Sequence, residues 1–67
     1  MIEKLWFLVL NDDLVGIFDD YEIALEEKDY LKEENRFDTV VLKKKIISNI
    51  PKNSEEYLMA KERGYIS

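Results

Sequence analysis

Six consecutive apolar residues, LWFLVL from Leu5 to Leu10, interrupt an otherwise highly charged chain. Alternate positions of the run are apolar on both sides, which predicts a short strand that is central in a sheet or covered on both faces. The polar triplet Asn11-Asp12-Asp13 follows. Short polar side chains of this kind tolerate positive φ and bond nearby backbone, so the triplet predicts a tight turn. A second apolar run, Leu14-Val15-Gly16-Ile17-Phe18, then completes an antiparallel hairpin. Gly16 inside that run points to a bulge or to a close approach of another group to the backbone.

From Asp19 to Asn35 the period changes to that of a helix. Asp19 reads as the N-cap with Glu22 as an acidic capping-box partner, and Phe18 and Ile23 are placed for a hydrophobic staple. Tyr21, Ala24, Leu25, Lys28 and Leu31 fall on one face, the expected core side, with the Lys28 stem lying along apolar surface. Asn35 ends the helix. Asp38 to Ile47, DTVVLKKKII, reads as a third strand with Val40, Leu42 and Ile46 on one face, interrupted by Lys44. Val41 and Ile47 share the other face with Lys43 and Lys45, and the lysines suit an exposed edge. Pro51 and Asn53 break the pattern. Asn53 or Ser54 then caps a short helix over Glu55 to Arg63, with Gly64 at its C-terminal turn. Tyr57, Leu58 and Lys61 are its expected inner side, and Tyr65 or Ile66 folds back after Gly64. The order is β-β-α-β-α: an α+β fold with a small, three-stranded, mainly antiparallel sheet packed by one helix, plus a short C-terminal helix. Residues 1–67 form a single domain without repeat or linker.

A chain of 67 residues has a small core, since domains of this size bury only ~60% of the surface their unfolded chains expose. There is no cysteine to form a disulfide or a thiolate metal site, and no histidine to serve as metal ligand or general base. The lack of cysteine fits a reducing compartment. No apolar run approaches the ~20 residues of a membrane span, and no signal-peptide pattern occurs. A cytoplasmic protein without membrane attachment is the expectation.

The net charge of −5 is unevenly spread. Between Asn11 and Asp38 stand eleven acids against Lys28, Lys32 and Arg36, or −8, and the remainder carries +3. Such a chain is repelled by phosphates over most of its surface, so direct nucleic-acid binding is not expected. Ser48, Ser54 and Ser67 have no histidine to activate them. Gly16 and Gly64 are the only glycines, so there is no phosphate-cradling loop. A carboxylate pair for glycoside chemistry would lack an enclosing cleft. Asn11 to Asp13 lacks the alternating acids, turn glycine and distal glutamate of a calcium loop. No enzymatic activity, cofactor or metal is expected.

The outer face of the acidic helix is the candidate site. Glu26, Glu27, Glu33 and Glu34 surround Ile23 and Tyr30, an apolar pair seven residues apart. Apolar anchors within a polar rim are what protein interfaces use. The competing reading is a solvated charge run, with Ile23 occupied by its staple to Phe18. If the face binds, its carboxylates imitate phosphates and enter a basic groove on a protein partner, with electrostatic steering. The alternative is self-association, through an exposed strand edge or through whichever face of LWFLVL stays open, giving a homodimer. The open face is Trp6, Leu8 and Leu10, or Leu5, Phe7 and Val9, unless the C-terminal helix covers it.

The run LVGIFDDYEIALEEKDYLKEE followed by FDTVVLKKKI, with Gly16, Phe18, Asp19 and Ala24 at its marked positions, resembles a hairpin–helix–strand pattern in small phage and bacterial proteins without an assigned activity. The resemblance covers residues 5 to 47 and leaves out the last twenty residues. It implies a phage or prophage origin and a small acidic inhibitor of a host nucleic-acid-handling or defence protein, acting in the host cytoplasm. The function expected is that of a non-catalytic acidic protein-binding module acting through Ile23, Glu26, Glu27, Tyr30, Glu33 and Glu34. The alternative is a self-associating structural or accessory protein.

Overall fold

The apolar run LWFLVL forms the middle of the sheet. The computed structural model describes residues 2–66, so Met1 and Ser67 lie outside the described residues. The elements are β1 (Lys4–Leu10), β2 (Asp13–Phe18), α1 (Tyr21–Glu34), β3 (Val40–Ile46), a short 3-10 turn at Ile47–Asn49, and α2 (Glu55–Glu62). The strand order is β2-β1-β3 and both pairings are antiparallel. Apolarity on both pleats of β1 follows from this position. Leu5 and Phe7 are fully buried in a cluster with Ile17, Ile50 and Ala60, on the face that α2 covers. Leu8, on the opposite pleat, is buried on the α1 side, as is Ala24 of that helix. Each fully buried side chain of this size contributes roughly 1.5–3 kcal/mol.

Asn11 and Asp12 join β1 to β2 with φ of 49° and 71°, a two-residue turn of the type I′ kind that matches strand twist. The β1–β2 register shifts between Leu8↔Gly16 and Val9↔Leu14, so Val15 has no partner and bulges outward. Gly16 is also crowded. A Cβ there would lie 3.0 Å from Phe18 Cε2 and 3.5 Å from Leu8 Cβ. Both sequence expectations for Gly16 therefore hold together.

The start of α1 differs from expectation by one residue. Asp20 is the N-cap, its Oδ1 accepting from Glu22 N at 2.8 Å and from Ile23 N at 3.2 Å. Its carbonyl accepts the first helical bond, from Ala24 N. Asp19 therefore stands outside the helix, Glu22 is one position too early for a capping box, and Ile23 is 51% exposed rather than taken up in a staple. The inward stripe is also narrower than expected. Ala24 is buried and Lys28 and Leu31 are half-buried, whereas Tyr21 and Leu25 are exposed. A small residue at the point of closest approach seats the helix low on the sheet and leaves the larger flanking side chains at its edges. At the other end, Asn35 donates both its backbone N–H and its Nδ2 to the Leu31 carbonyl, closing the helix.

β3 runs from Val40 to Ile46, two residues later at its start and one earlier at its end than expected, because Ile47 enters the 3-10 turn. Between those ends its faces are as the alternation predicts. Val40, Leu42, Lys44 and Ile46 stand opposite Leu10, Leu8, Trp6 and Lys4 on the α1 side. Lys45, on the other face, pairs with Glu56 and ties the strand to α2. Ser54 caps α2, its Oγ accepting from Tyr57 N at 3.1 Å. The helix ends in a Schellman turn. Gly64, at φ 85°, donates to Lys61 O, and Tyr65 N reaches back to Ala60 O. That turn brings Tyr65 and Ile66 onto the Leu5/Phe7 cluster. The inner side of α2 is Ala60, with Tyr57 and Met59 beside it, and not Leu58 and Lys61, which face outward.

Candidate protein-docking surface

Fourteen residues of α1 divide into stripes, each repeating at the four-three-four spacing that keeps side chains on one line of a helix. Ala24, Lys28, Leu31 and Asn35 form the inward line. The outermost line is Glu22, Glu26, Asp29 and Glu33, entirely carboxylate. One flank is Ile23, Glu27, Tyr30 and Glu34. The other, two residues out of phase and so about 200° around the axis, is Tyr21, Leu25, Lys28 and Lys32. Acid and base are thus segregated around a single helix.

The segregation opposes helix stability. Within α1 the charged pairs four residues apart are Glu22–Glu26, Lys28–Lys32 and Asp29–Glu33, and all three are like-charged. Such pairs cost an isolated helix about 0.2–0.5 kcal/mol each, where mixed charges at the same spacing would gain as much.

All six residues singled out in the sequence lie at the surface: Ile23, Glu26, Glu27, Tyr30, Glu33 and Glu34 are each exposed. Ile23 is 51% and Tyr30 62% exposed, so the flank carries two apolar side chains more open than buried. Among the described residues the ion pair formed is Lys45–Glu56, and the four glutamates of the site engage neither a cation nor a hydrogen-bond donor through their side chains. The carboxylates remain available. Glu22 and Asp29 extend the acidic ridge and were not among the expected site residues, although the four-three-four spacing marks them.

A further residue escaped the sequence reading. Phe37, in the turn between α1 and β3, is fully exposed at 102%. The turn is closed by Asp38 N donating to Asn35 O. Phe37 follows Glu34 by three residues, so its Cα lies within about 11 Å of that end of the flank. A lone aromatic among Arg36, Asp38 and Thr39 in a segment after a helix terminator was the available signal.

The Asn11 turn, weighed above as a cation loop, uses its side-chain oxygen otherwise: Asn11 Oδ1 accepts from Thr39 N at 3.0 Å. Among the described residues no group of three or more acidic side chains is gathered closely enough to hold a metal ion. Among them also, no helix is long and apolar enough to cross a membrane. Compared with known proteins, the chain matches no family model, no curated protein and no solved structure.

Proposed function

We propose that the protein is a non-catalytic binding module that docks the acidic side of α1 onto a basic, partly apolar surface of a protein partner. The observation that carries this reading is the exposure of Ile23 and Tyr30 in line with carboxylates that pair with nothing else. The apolar side chains supply desolvation energy at the centre of a contact, and Glu26, Glu27, Glu33 and Glu34 supply its polar rim and its orientation. Glu27 and Glu34, like Glu26 and Glu33, stand seven residues apart, a rise of about 10 Å along the helix. A row of carboxylates along one helix side carries the charge of a phosphate backbone, and its occupation of a groove built for such a backbone would inhibit a nucleic-acid-handling protein. The centre of β1 offers a poorer basis for association, because Leu5, Phe7 and Leu8 are already buried between the helices, while Trp6 and Ile46 at the end of the sheet stay partly open.

The test is affinity capture of basic proteins from a bacterial lysate at low and high salt. Wild type is compared with a charge-reversed chain (Glu26→Lys, Glu27→Lys, Glu34→Lys) and with Tyr30→Ala. A partner retained by wild type, released by salt and lost from both variants is the expected result. A retained set that is the same for all three chains would overturn the reading.

A further inference from the structure

The second flank of α1 has the opposite chemistry. Tyr21 packs its ring on Trp6, centroids 5.7 Å apart and tilted by 50°. Trp6 is itself only half-buried, and Lys4 Nζ lies 5.8 Å from its ring centre. Lys44 stands directly across from Trp6 on β3, and Ile46, 51% exposed, stands across from Lys4. The helix therefore leaves this end of the sheet uncovered. Its floor is Trp6 and Ile46, its rim is Lys4 and Lys44, and Tyr21 borders it from the start of α1. A depression of about 380 Å³ beside it, lined by Ile2, Glu3, Ile46, Ile47 and Ser48, continues the apolar surface around the sheet end.

We propose that this basic, aromatic corner receives the acidic flank of α1 from a second copy of the chain. The proposal rests on the acidic flank being a binding surface and names a partner for it. Complementarity is what selects this occupant. Ile23 and Tyr30 alternate with Glu27 and Glu34 on the flank, and Trp6 and Ile46 stand on one diagonal of the corner with Lys4 and Lys44 on the other. Each surface thus offers two apolar side chains beside two charges, of opposite sign on the two surfaces. The two surfaces occupy different sides of one helix, so a copy that offers one still has the other free. The association is accordingly head-to-tail and extends past two copies into a ring or a filament, unlike a two-fold dimer that closes on itself. The net charge of −5 on each copy opposes approach, and the attraction is confined to groups within a screening length, so the assembly forms at high concentration.

Sedimentation equilibrium from micromolar to millimolar chain tests this, with the emission of Trp6, the single tryptophan, as a local reporter. Wild type is expected to grow past a dimer with a blue shift in emission. A flank variant (Glu27→Ala, Tyr30→Ala, Glu34→Ala) and a corner variant (Lys4→Ala, Lys44→Ala) should each self-associate about tenfold more weakly. Mixed in equal amounts, these two variants should form one-to-one dimers and nothing larger, because each retains the surface the other lacks. All five substitutions are at exposed positions, and circular dichroism checks that the fold is kept. A wild type that stays monomeric overturns the proposal, as do variants that assemble like wild type or a mixture that fails to pair. A monomeric chain that still captures a basic protein through Glu27 and Glu34 overturns self-docking alone and leaves the function proposed above intact.

Discussion

Asn11 and Thr39 hold each other by two hydrogen bonds: Asn11 N donates to Thr39 O at 2.9 Å, and Thr39 N donates to Asn11 Oδ1 at 3.0 Å. One residue thus makes the hairpin turn with φ of 49° and extends the β1–β3 pairing past Leu10↔Val40. Asn11→Ala should lose both the side-chain bond and the ease of positive φ, a cost of about 2 kcal/mol. Asn11→Gly keeps the turn and loses only the bond, about 1 kcal/mol. Urea unfolding of the two variants separates the contributions. Equal losses would mean that the turn conformation costs alanine nothing here.

The two glycines fail for different reasons when replaced by alanine. At Gly64 a Cβ would meet nothing within 4 Å, but φ is 85°, so Gly64→Ala should cost about 1 kcal/mol of backbone strain. At Gly16 the obstacle is the Phe18 ring, with Cε2 3.0 Å from the new Cβ, and Gly16→Ala should cost about 1–3 kcal/mol. Phe18→Leu removes that ring. In a double-mutant cycle the Gly16→Ala penalty should fall by more than half in the Phe18→Leu background, while the Gly64→Ala penalty stays the same.

Adjacent aspartates precede α1 and only one caps it. Asp20→Ala should lower stability by about 1 kcal/mol, and Asp19→Ala should change it by less than about 0.5 kcal/mol. Thermal unfolding of the pair decides the assignment. A larger loss at Asp19 would place the helix start one residue earlier.

Tyr30 and Phe37 contribute little to the folded state for their size. Tyr30→Ser and Phe37→Ser should each leave unfolding free energy within about 0.5 kcal/mol of wild type, since most of each side chain already faces water. Leu58→Ser should behave likewise, whereas Ala60→Leu, at a fully buried position, should cost about 1–3 kcal/mol. Chemical denaturation of these chains checks which residues of each helix face inward.

What could be read in the chain was what local physics controls. The hairpin turn within Asn11 to Asp13, the alternation of β3 from Val40 to Ile46 and the Gly64 terminus each depend on a few neighbouring residues, and each falls in the stretch the pattern marked. Of the two candidate caps, Asn53 and Ser54, it is Ser54 that serves. The choice between Asp19 and Asp20 was not local. Either can cap, and the decision belongs to how deep Ala24 sits on the sheet. The same depth turned Tyr21 and Leu25 outward, and the close fit of Ala60 over the Leu5/Phe7 cluster turned Leu58 outward. Periodicity gives the line of a helix face but not the distance at which it docks. For the candidate site, Ile23 and Tyr30 were legible because seven-residue spacing puts them on one line, about 100° around the helix from the line of Ala24 and Leu31. Phe37 was not, because a turn has no period from which to depart.

The position of β1 has a consequence for how the chain is made. Leu5 and Phe7 precede by some fifty residues the Ala60, Tyr65 and Ile66 that pack with them, and translation makes them in that order. The hairpin and α1 can assemble early and shield Leu8, but the other side of LWFLVL waits until residues 60–66 have been made. An uncharged, strand-forming hexapeptide in that position is a nucleus for aggregation during translation. The Schellman turn at Gly64 ends that exposure by folding Tyr65 and Ile66 back onto the open side.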